Sequence, residues 1–222
     1  MYEINSNAVP KEGTIGVVVS GGFDSTLLAF MLYGICLERG QKIVPFTVPK
    51  NDGALTYASR MLEWIARCYS IKQPATIVVN SKGVDWSKKD YQGDEVSRQL
   101  IDGIKEIMDL GLADYVFTGV NEYPPDYETL CDYHTPGPRN LARDSDAEYN
   151  GRKIKDFIYQ PFADLTKKDL VLMANEQGCL EDIMFLSHSC VEQIRGRCGE
   201  CFWCKERAWG FEQAGFLDRG IQ

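Results

Sequence analysis

The sequence has no long apolar run. None of its 222 residues belongs to a stretch of the roughly 20 apolar residues that a membrane helix needs. Residues 1–11 are polar and lack the apolar centre of a signal peptide. From these absences we expect a cytoplasmic protein with no membrane contact. Cysteines are kept reduced in that compartment, so we expect the eight cysteines to be thiols.

Positive charge is also scarce. The chain carries 24 lysines and arginines against 32 aspartates and glutamates, which gives a formal net charge of −8. Proteins that bind nucleic acid usually present a basic face to the phosphates, so we do not expect nucleic acid as a partner. The sequence has no internal repeat and no low-complexity tract. Its 44% hydrophobic residues are ordinary for a globular protein with a full core.

Strand-like apolar runs alternate with helix-like stretches over most of the chain. This alternation is typical of a parallel, doubly wound α/β sheet, which is the fold class that we predict. The predicted strands are 14–19, 42–48, 75–80, 114–119 and 157–159, and the predicted helices are 25–39, 53–70, 96–110, 140–150 and 166–177. We divide the chain into a nucleotide-binding α/β domain, 1–160, and a C-terminal helical segment, 161–222, packed on the same core.

Three local signals refine this pattern. Pro45 inside the second strand indicates an irregularity or an edge position, because proline has no N–H for the ladder. Asn150 and Gly151 would end the helix predicted before them. Thr166 is a good N-cap for the helix that follows it, with Asp169 at the position of the capping-box carboxylate.

The segment 20–26, SGGFDST, joins the first predicted strand to the first predicted helix. Adjacent glycines let the backbone approach a ligand, and the new helix offers unpaired N–H groups and the positive end of its dipole. The segment therefore predicts a phosphate or pyrophosphate site. It lacks the lysine of GxxxxGK[ST] and is not GxGxxG. The candidate binding residues are Ser20, Gly21, Gly22, Asp24, Ser25 and Thr26, with Asp24 helping to hold magnesium or positioning the loop.

Ligands of doubly wound sheets bind at the carboxyl ends of the strands. Two further loops follow such ends, at 48–52 and 119–139, and loops as long as the second are often functional. The candidate substrate residues in these loops are Lys50, Asn121, Asp126 and Arg139.

Four of the eight cysteines form a cluster. Cys198, Cys201 and Cys204 have CxxCxxC spacing, and Cys190 lies eight residues upstream. Four thiolates at this spacing suit tetrahedral zinc, and four protein ligands favour a structural metal that contributes to folding. An iron–sulfur cluster and a redox disulfide within one CxxC are the alternatives.

The other four cysteines are scattered. Cys36, Cys68 and Cys179 lie in or beside apolar segments and are interpreted as small core residues. Cys131 lies in the long loop and is a candidate nucleophile, although no sequence feature shows that it is activated. For His188, two residues before the cluster, packing or a hydrogen bond is preferred over a role as a metal ligand or an active-site residue.

Three separated motifs agree with one known family. They are SGGFDST at 20–26, PFADLTK at 161–167, and a C-terminal run that includes CGECFWCKER at 198–207 and GFE at 210–212. Together they resemble the 7-cyano-7-deazaguanine synthases of the queuosine pathway, which are PP-loop ATP pyrophosphatases. The motifs cover both ends of the chain, and the cysteines followed by arginine and Gly-Phe are the most specific part.

The resemblance implies a PP-loop fold and a defined reaction. ATP adenylates the carboxylate of 7-carboxy-7-deazaguanine, ammonia displaces AMP to give the amide, and a second ATP drives dehydration to the nitrile. Magnesium, zinc and a homodimer are implied as well. Lys167 matches the family's lysine after Leu-Ser/Thr. It is the candidate catalytic residue together with Asp24, because charge on the α-phosphate needs a cation. Lys168 is expected to face solvent.

Two loops depart from the family pattern. The segment 47–53, TVPKNDG, replaces the family's Tyr-Gly-Gln-Arg-His type motif, and 120–127, VNEYPPDY, keeps only fragments of the other family loop. These loops flank the family's substrate pocket. The alternative is a divergent relative, of the kind found in phage DNA modification and antiviral gene clusters. Such an enzyme would join an adenylated deazapurine carboxylate to another amine, such as a protein terminus.

Two other classes stay open. A tRNA-thiolating PP-loop enzyme would need a basic surface and a catalytic cysteine pair, which the charge of −8 does not favour. A nucleotide-binding module with a zinc site would not catalyse a reaction. The aromatic side chains near the C-terminus are either core or interface, and core is the preferred interpretation; they are Phe202, Trp203, Trp209, Phe211 and Phe216.

Overall fold

The computed structural model describes residues 4–49, 53–79, 93–125, 130 and 146–220, with the backbone alone at 93–99. The strands are β1 Ile15–Val18, β2 Ile43–Thr47, β3 Ile77–Val78, β4 Tyr115–Phe117, β5 Glu148–Tyr149, β6 Arg152–Lys153 and β7 Ile158–Tyr159. The helices are α1 Phe23–Glu38, α2 Ala54–Cys68, α3 Gly93–Asp109, α4 Lys167–Glu176, α5 Leu180–Leu186 and α6 Phe202–Gln213, with 3-10 turns at Ser6–Ala8 and Ile154–Asp156. Among the described residues, no helix has the length and apolar character required to cross a membrane.

Five parallel strands form one sheet in the order β3–β2–β1–β4–β7, and β5 pairs antiparallel with β6. The sheet separates two apolar clusters. Val17 of β1 joins the cluster that contains residues of α1, α2, α4 and α5, whereas Val18 joins the cluster with Ile104 and Ile107 of α3. The predicted doubly wound α/β fold is therefore confirmed. Both faces are covered, which is why its strands are short continuous apolar runs.

The strand order reverses between β1 and β4. The chain runs from β1 to β2 on one side of the sheet and returns through β4 on the other, so a crevice opens at the carboxyl ends of β1 and β4. Gly119, just after β4, lies against the first turn of α1. A Cβ atom at Gly119 would stand 2.9 Å from the backbone nitrogen of Ser25, closer than real Cβ contacts. The missing side chain lets the two elements meet at the crevice.

The C-terminal helices share their core with the sheet. Buried in the same cluster as β1 and α1 are Phe162, Leu170, Ile183 and Phe211. Phe211 packs edge to face on Phe23, with ring centroids 5.5 Å apart. Phe202 is also buried, whereas the remaining predicted aromatic positions, Trp203, Trp209 and Phe216, are half-buried. The division of the chain at residue 160 stays a prediction.

Three sequence-based expectations need correction. Pro45 does not mark an edge strand, since β2 is internal; it lies where β2 pairs with β1 alone, because β3 pairs only with Phe46 and Thr47. The helix predicted at 140–150 is wrong within its described part, where β5 and β6 form a hairpin. Asn150 and Gly151 have positive φ of 51° and 75°, as a tight hairpin turn requires.

The interpretation of Cys68 as a core residue is also wrong. Cys36 and Cys179 are buried, but Cys68, the last residue of α2, is exposed. Its spacing from Trp64 and Ile65 continues the apolar face of α2, but Cys68 lies at the end of the helix, where that face is no longer covered.

The start of α4 is held by the predicted capping box. The carboxylate of Asp169 accepts hydrogen bonds from the Thr166 backbone N–H at 2.8 Å and from the Thr166 hydroxyl at 2.7 Å. The helix therefore begins at Lys167, and the first helical side chain has a fixed direction.

Asp169→Ala should lower the free energy of unfolding by about 1 kcal/mol, because it leaves the N-cap without its acceptor. Urea unfolding followed by circular dichroism measures the change. Thr166→Ser is the matched control, since serine keeps both donors, and its stability should stay near that of the native protein. Equal stability for native and Asp169→Ala proteins would contradict the role of the capping box.

Candidate functional site

The loop between β1 and α1 is built around two serines. The Ser20 backbone N–H donates to the Ser25 hydroxyl at 3.1 Å, and the two hydroxyl oxygens are 3.0 Å apart. The Thr26 hydroxyl donates back to the Gly22 carbonyl at 2.7 Å, so it stabilises the turn. Gly21 has φ of 79°, and a Cβ atom there would overlap the backbone of Tyr57. The loop therefore lies directly on α2.

The side chain of Lys167, the first residue of α4, reaches the first turn of α1. Its ammonium group contacts both carboxylate oxygens of Asp24, and its side chain is only 4% exposed. Glu206 of α6 provides a second carboxylate, with Oε2 at 3.6 Å from the Lys167 Nζ atom. The structure thus brings together the two predicted catalytic residues, which are 143 positions apart in the chain.

Asn121 completes this cluster. Its Nδ2 atom donates to the Glu122 carbonyl at 3.0 Å and lies 3.4 Å from Oε1 of Glu206. Asn121 is buried, so the structure places this predicted substrate residue beside the lysine site. The other predicted substrate residues, Lys50, Asp126 and Arg139, lie outside the described residues, as does Cys131.

A glycine brings α6 close to the lysine. A Cβ atom at Gly210 would overlap Cγ of Lys167, so only glycine fits here without displacing the lysine. Gly210 follows Glu206 by four positions, which places both residues on one face of α6. The sequence motif contained both residues, but their helical spacing was not used to assign them to the lysine site.

The four clustered cysteines converge. Their sulfur atoms all lie within 4.8 Å of one another, with the sulfurs of Cys198 and Cys204 at 3.9 Å. Tetrahedral zinc with Zn–S bonds of about 2.3 Å needs sulfur–sulfur distances of about 3.8 Å. Backbone N–H groups of Glu200 and Cys201 point at the Cys198 sulfur, at 3.4 and 3.2 Å. The donor set fits a single metal ion bound by thiolates.

The sulfur atoms interact strongly even as thiols. The Cys204 thiol donates to the Cys201 sulfur, which lowers the pKa of Cys201 to about 5 and raises the pKa of Cys204. Burial raises the pKa of Cys190. Because a bound cation favours the thiolate form, metal and protons compete for this cluster.

The segment before the cysteines contacts the serine loop. The His188 backbone N–H donates to the Gly21 carbonyl at 2.9 Å, and the imidazole stacks on Tyr57 with ring centroids 4.3 Å apart. The His188 Nε2 atom is 2.7 Å from the Gln193 carbonyl. The preferred interpretation of His188 as a packed, hydrogen-bonded residue is confirmed. The Tyr57 hydroxyl donates to the Ile194 carbonyl at 2.8 Å, which adds a second attachment.

Arg207 anchors the chain after α6. Its side chain is fully buried, and Asp218 accepts from its Nε and Nη2 atoms at 2.9 and 3.2 Å. The remaining donors reach the Met184 carbonyl, at 2.7 Å, and the Ser187 hydroxyl, at 2.8 Å. Burial acts to raise the pKa of Asp218, but Arg197 and Arg207 lower it overall. Sequence reasoning found Arg207 only as part of a motif and missed Asp218.

These features define a class of protein: a doubly wound α/β fold with a serine–glycine loop between β1 and α1 and a four-cysteine site. A solved structure supports the fold. The chain is similar to the U34-tRNA thiolase NcsA from Methanococcus maripaludis, which was solved with its [4Fe-4S] cluster. The TM-score is 0.50 at 13% identity, over 79% of this chain and 61% of that one.

The family comparisons are more specific. Residues 113–215 match the family model of the queuosine biosynthesis protein QueC. A 7-cyano-7-deazaguanine synthase from Gloeobacter violaceus is 38% identical over 63 residues, which cover 28% of this chain and about a quarter, 27%, of that relative. The chain is therefore similar to QueC over its C-terminal half, in agreement with the resemblance that its motifs indicated. The family match contains Lys167, Glu206 and all four clustered cysteines, whereas the loop 20–26 precedes it.

One metal ion per chain should copurify with the protein when purification avoids chelators. Cys204→Ala should lose this metal and part of the thermal stability, because metal binding contributes to folding. Elemental analysis by mass spectrometry measures the stoichiometry. Cys68→Ala removes an exposed cysteine outside the cluster and serves as the matched control. A Cys204→Ala protein with a full metal content would contradict the assignment.

Proposed function

We propose that the protein is an ATP-dependent synthase that converts 7-carboxy-7-deazaguanine to 7-cyano-7-deazaguanine. In the first step a carboxylate oxygen attacks the α-phosphate of ATP, and pyrophosphate leaves. Ammonia then displaces AMP and gives the amide. In the last step the amide oxygen is adenylated by a second ATP and leaves with AMP, which yields the nitrile. The observation that carries this proposal is the position of Lys167 beside the loop 20–26.

The loop and the lysine suit the two halves of an adenylation. N–H groups at the start of α1 and the Ser20 and Ser25 hydroxyls are donors for a pyrophosphate that departs from ATP. Negative charge develops on the α-phosphate during the attack, and the Lys167 ammonium would stabilise that charge. Asp24 positions Lys167 in the structure, and a carboxylate there also suits the magnesium ion that accompanies ATP.

For the metal we propose structural zinc. In a [4Fe–4S] cluster each cysteine binds a different iron, so the sulfurs lie farther apart than around a single ion. Sulfurs within 4.8 Å of one another favour the single ion. Four thiolates close its coordination sphere, so zinc would hold the segment 190–204 against the loop 20–26 without taking part in the chemistry.

The alternative function differs in the amine that receives the activated carboxylate. The loops 47–53 and 120–127 depart from the family pattern, and Asn121 is buried against Glu206. These observations favour, as second candidate, a relative that joins the adenylated deazapurine carboxylate to another amine, such as a protein terminus. A tRNA substrate is disfavoured by the charge of −8. A homodimer is proposed from the family resemblance alone.

Incubation with 7-carboxy-7-deazaguanine, Mg-ATP and ammonia should release AMP and pyrophosphate and produce the nitrile, as measured by mass spectrometry. Lys167→Met should lower AMP release by about 100-fold or more, because an electrostatic donor at the α-phosphate is lost. Asp24→Ala should abolish AMP release in a protein that still folds. Lys168→Met, next to the proposed catalytic lysine, is the control and should retain activity.

The products separate the two candidates. AMP without nitrile would reject the synthase and support the divergent relative, whose amine can then be sought among added peptides. A protein that forms no AMP with any deazaguanine acid would contradict both candidates. A folded protein that binds ATP but never cleaves it would be a nucleotide-binding module.

A further inference from the structure

The lysine site brings one ammonium group next to two carboxylates. Lys167 carries one positive charge, while Asp24 and Glu206 each carry one negative charge when ionised. The side chains of Lys167 and Glu206 are only 4% and 2% exposed, whereas that of Asp24 is 21% exposed. Burial of a carboxylate is costly, and the contacts of Glu206 with Lys167 and Asn121 offset part of that cost.

The contacts of the ammonium group suggest that the two carboxylates have different roles. Lysine has three N–H donors, and in the structure both Asp24 oxygens contact the ammonium. Asp24 lies in the first turn of α1, where a bound phosphate would arrive. Phosphate oxygens near the Asp24 carboxylate would repel it, and a magnesium ion would attract it. The more exposed of the two carboxylates is thus the one that must change its contacts when ATP binds.

Glu206 is placed to remain with the lysine. Its Oε2 atom lies 3.6 Å from the Lys167 Nζ atom, and its Oε1 atom is 3.4 Å from the Asn121 amide. It projects from α6, which Gly210 brings into direct contact with the lysine side chain. These contacts do not involve the loop 20–26, so they can persist while that loop binds a nucleotide.

We propose that Glu206 is a positioning residue for Lys167: it is the permanent counter-ion that keeps the ammonium at the start of α1 when Asp24 turns to the nucleotide and its metal. This inference rests on the proposed function, because it assigns Lys167 to the α-phosphate. Asp24 then pairs with Lys167 when no nucleotide is bound, and Glu206 pairs with Lys167 when ATP is bound. Asn121 acts behind Glu206 by fixing its second oxygen.

Two substitutions distinguish a charge from a packing role. Glu206→Gln keeps the size and the acceptor for Asn121 but removes the charge, and Glu206→Asp keeps the charge at a shorter length. We expect Glu206→Gln to lower kcat for AMP release about 10- to 100-fold with little change in KM for ATP, because the lysine is misplaced in the transition state. Glu206→Asp should retain more activity. The reverse order, glutamine above aspartate, would overturn the proposal.

A stability cycle tests the same pairing without any substrate. Lys167→Met leaves Glu206 buried without its cation, and we expect the melting temperature to fall by about 5–10 °C. Adding Glu206→Gln to Lys167→Met should restore part of this loss, because the carboxylate that lost its ion pair with Lys167 is then replaced by a neutral amide. Additive losses in the double variant would show that the two side chains act separately and would overturn the proposal.

The controls keep the outcomes separate. Glu212→Gln alters an exposed carboxylate on α6 and should leave both activity and melting temperature unchanged. If Glu206→Gln alone does not fold, the double variant decides, since a pair that acts together should fold once both charges are removed. If the native protein forms no AMP, the proposed function fails, and the stability cycle still tests the pairing of Glu206 with Lys167. Additive losses in that cycle would then reject the pairing.

Discussion

An ammonium group shielded from water governs the arrangement of this protein. The Lys167 ammonium is nearly buried, and the carboxylates that contact it come from α1 and α6. The first turn of α1, the capped start of α4 and the middle of α6 must therefore meet at one point. Two glycines make the meeting sterically feasible, Gly119 beneath α1 and Gly210 beside the lysine. The crevice at the sheet's switch point takes its chemistry from this convergence.

A second buried cation, Arg207, also holds α6 in place. Arg207 follows Glu206 directly in the chain, and its guanidinium lies over the rings of Phe23 and Phe211. Asp218 joins it to Arg197, which precedes the cysteine Cys198 by one residue. Ion pairs of Glu206 and of Arg207 thus both hold α6. The orientation of the helix, which determines where Glu206 points, depends on the contacts of Arg207 as well as on those of the lysine.

Local signals in the sequence predicted what short-range interactions determine. The strand–loop–helix of residues 15–38, the capping box at Thr166 and the convergence of cysteines at CxxCxxC spacing all depend on neighbours a few positions apart. Hairpin formation at 148–153 was mistaken for helix, because Asn-Gly ends a helix as well as it turns a hairpin. The strands on either side of Asn-Gly have only two residues each, so the sequence has too little periodicity there to distinguish a hairpin from a helix.

Long-range partners were harder to predict. Lys167 was assigned through a family resemblance, but neither its contact with Asp24 nor the role of Glu206 could be read from positions far apart in the chain. Asp218 follows α6 in a segment with no regular structure, where a single aspartate carries no pattern. Such pairings arise from the way helices cross on the sheet. The four-residue spacing of Glu206 and Gly210 was one signal that the sequence did offer. It places a carboxylate and a residue without a side chain on the same face of the helix.

The hydrogen bond from His188 to the Gly21 carbonyl has a thermodynamic consequence. The chain just before the first clustered cysteine, Cys190, is in direct contact with the loop 20–26, where a phosphate would bind. Whatever orders one of them reduces the entropy that remains to be lost by the other. Linkage of this kind is reciprocal: a nucleotide in the loop would strengthen metal binding by the same free energy with which a metal would strengthen nucleotide binding. The resistance of the cysteine-bound metal to chelators would then report whether a nucleotide occupies the loop 20–26, although that loop contains no metal-binding cysteine.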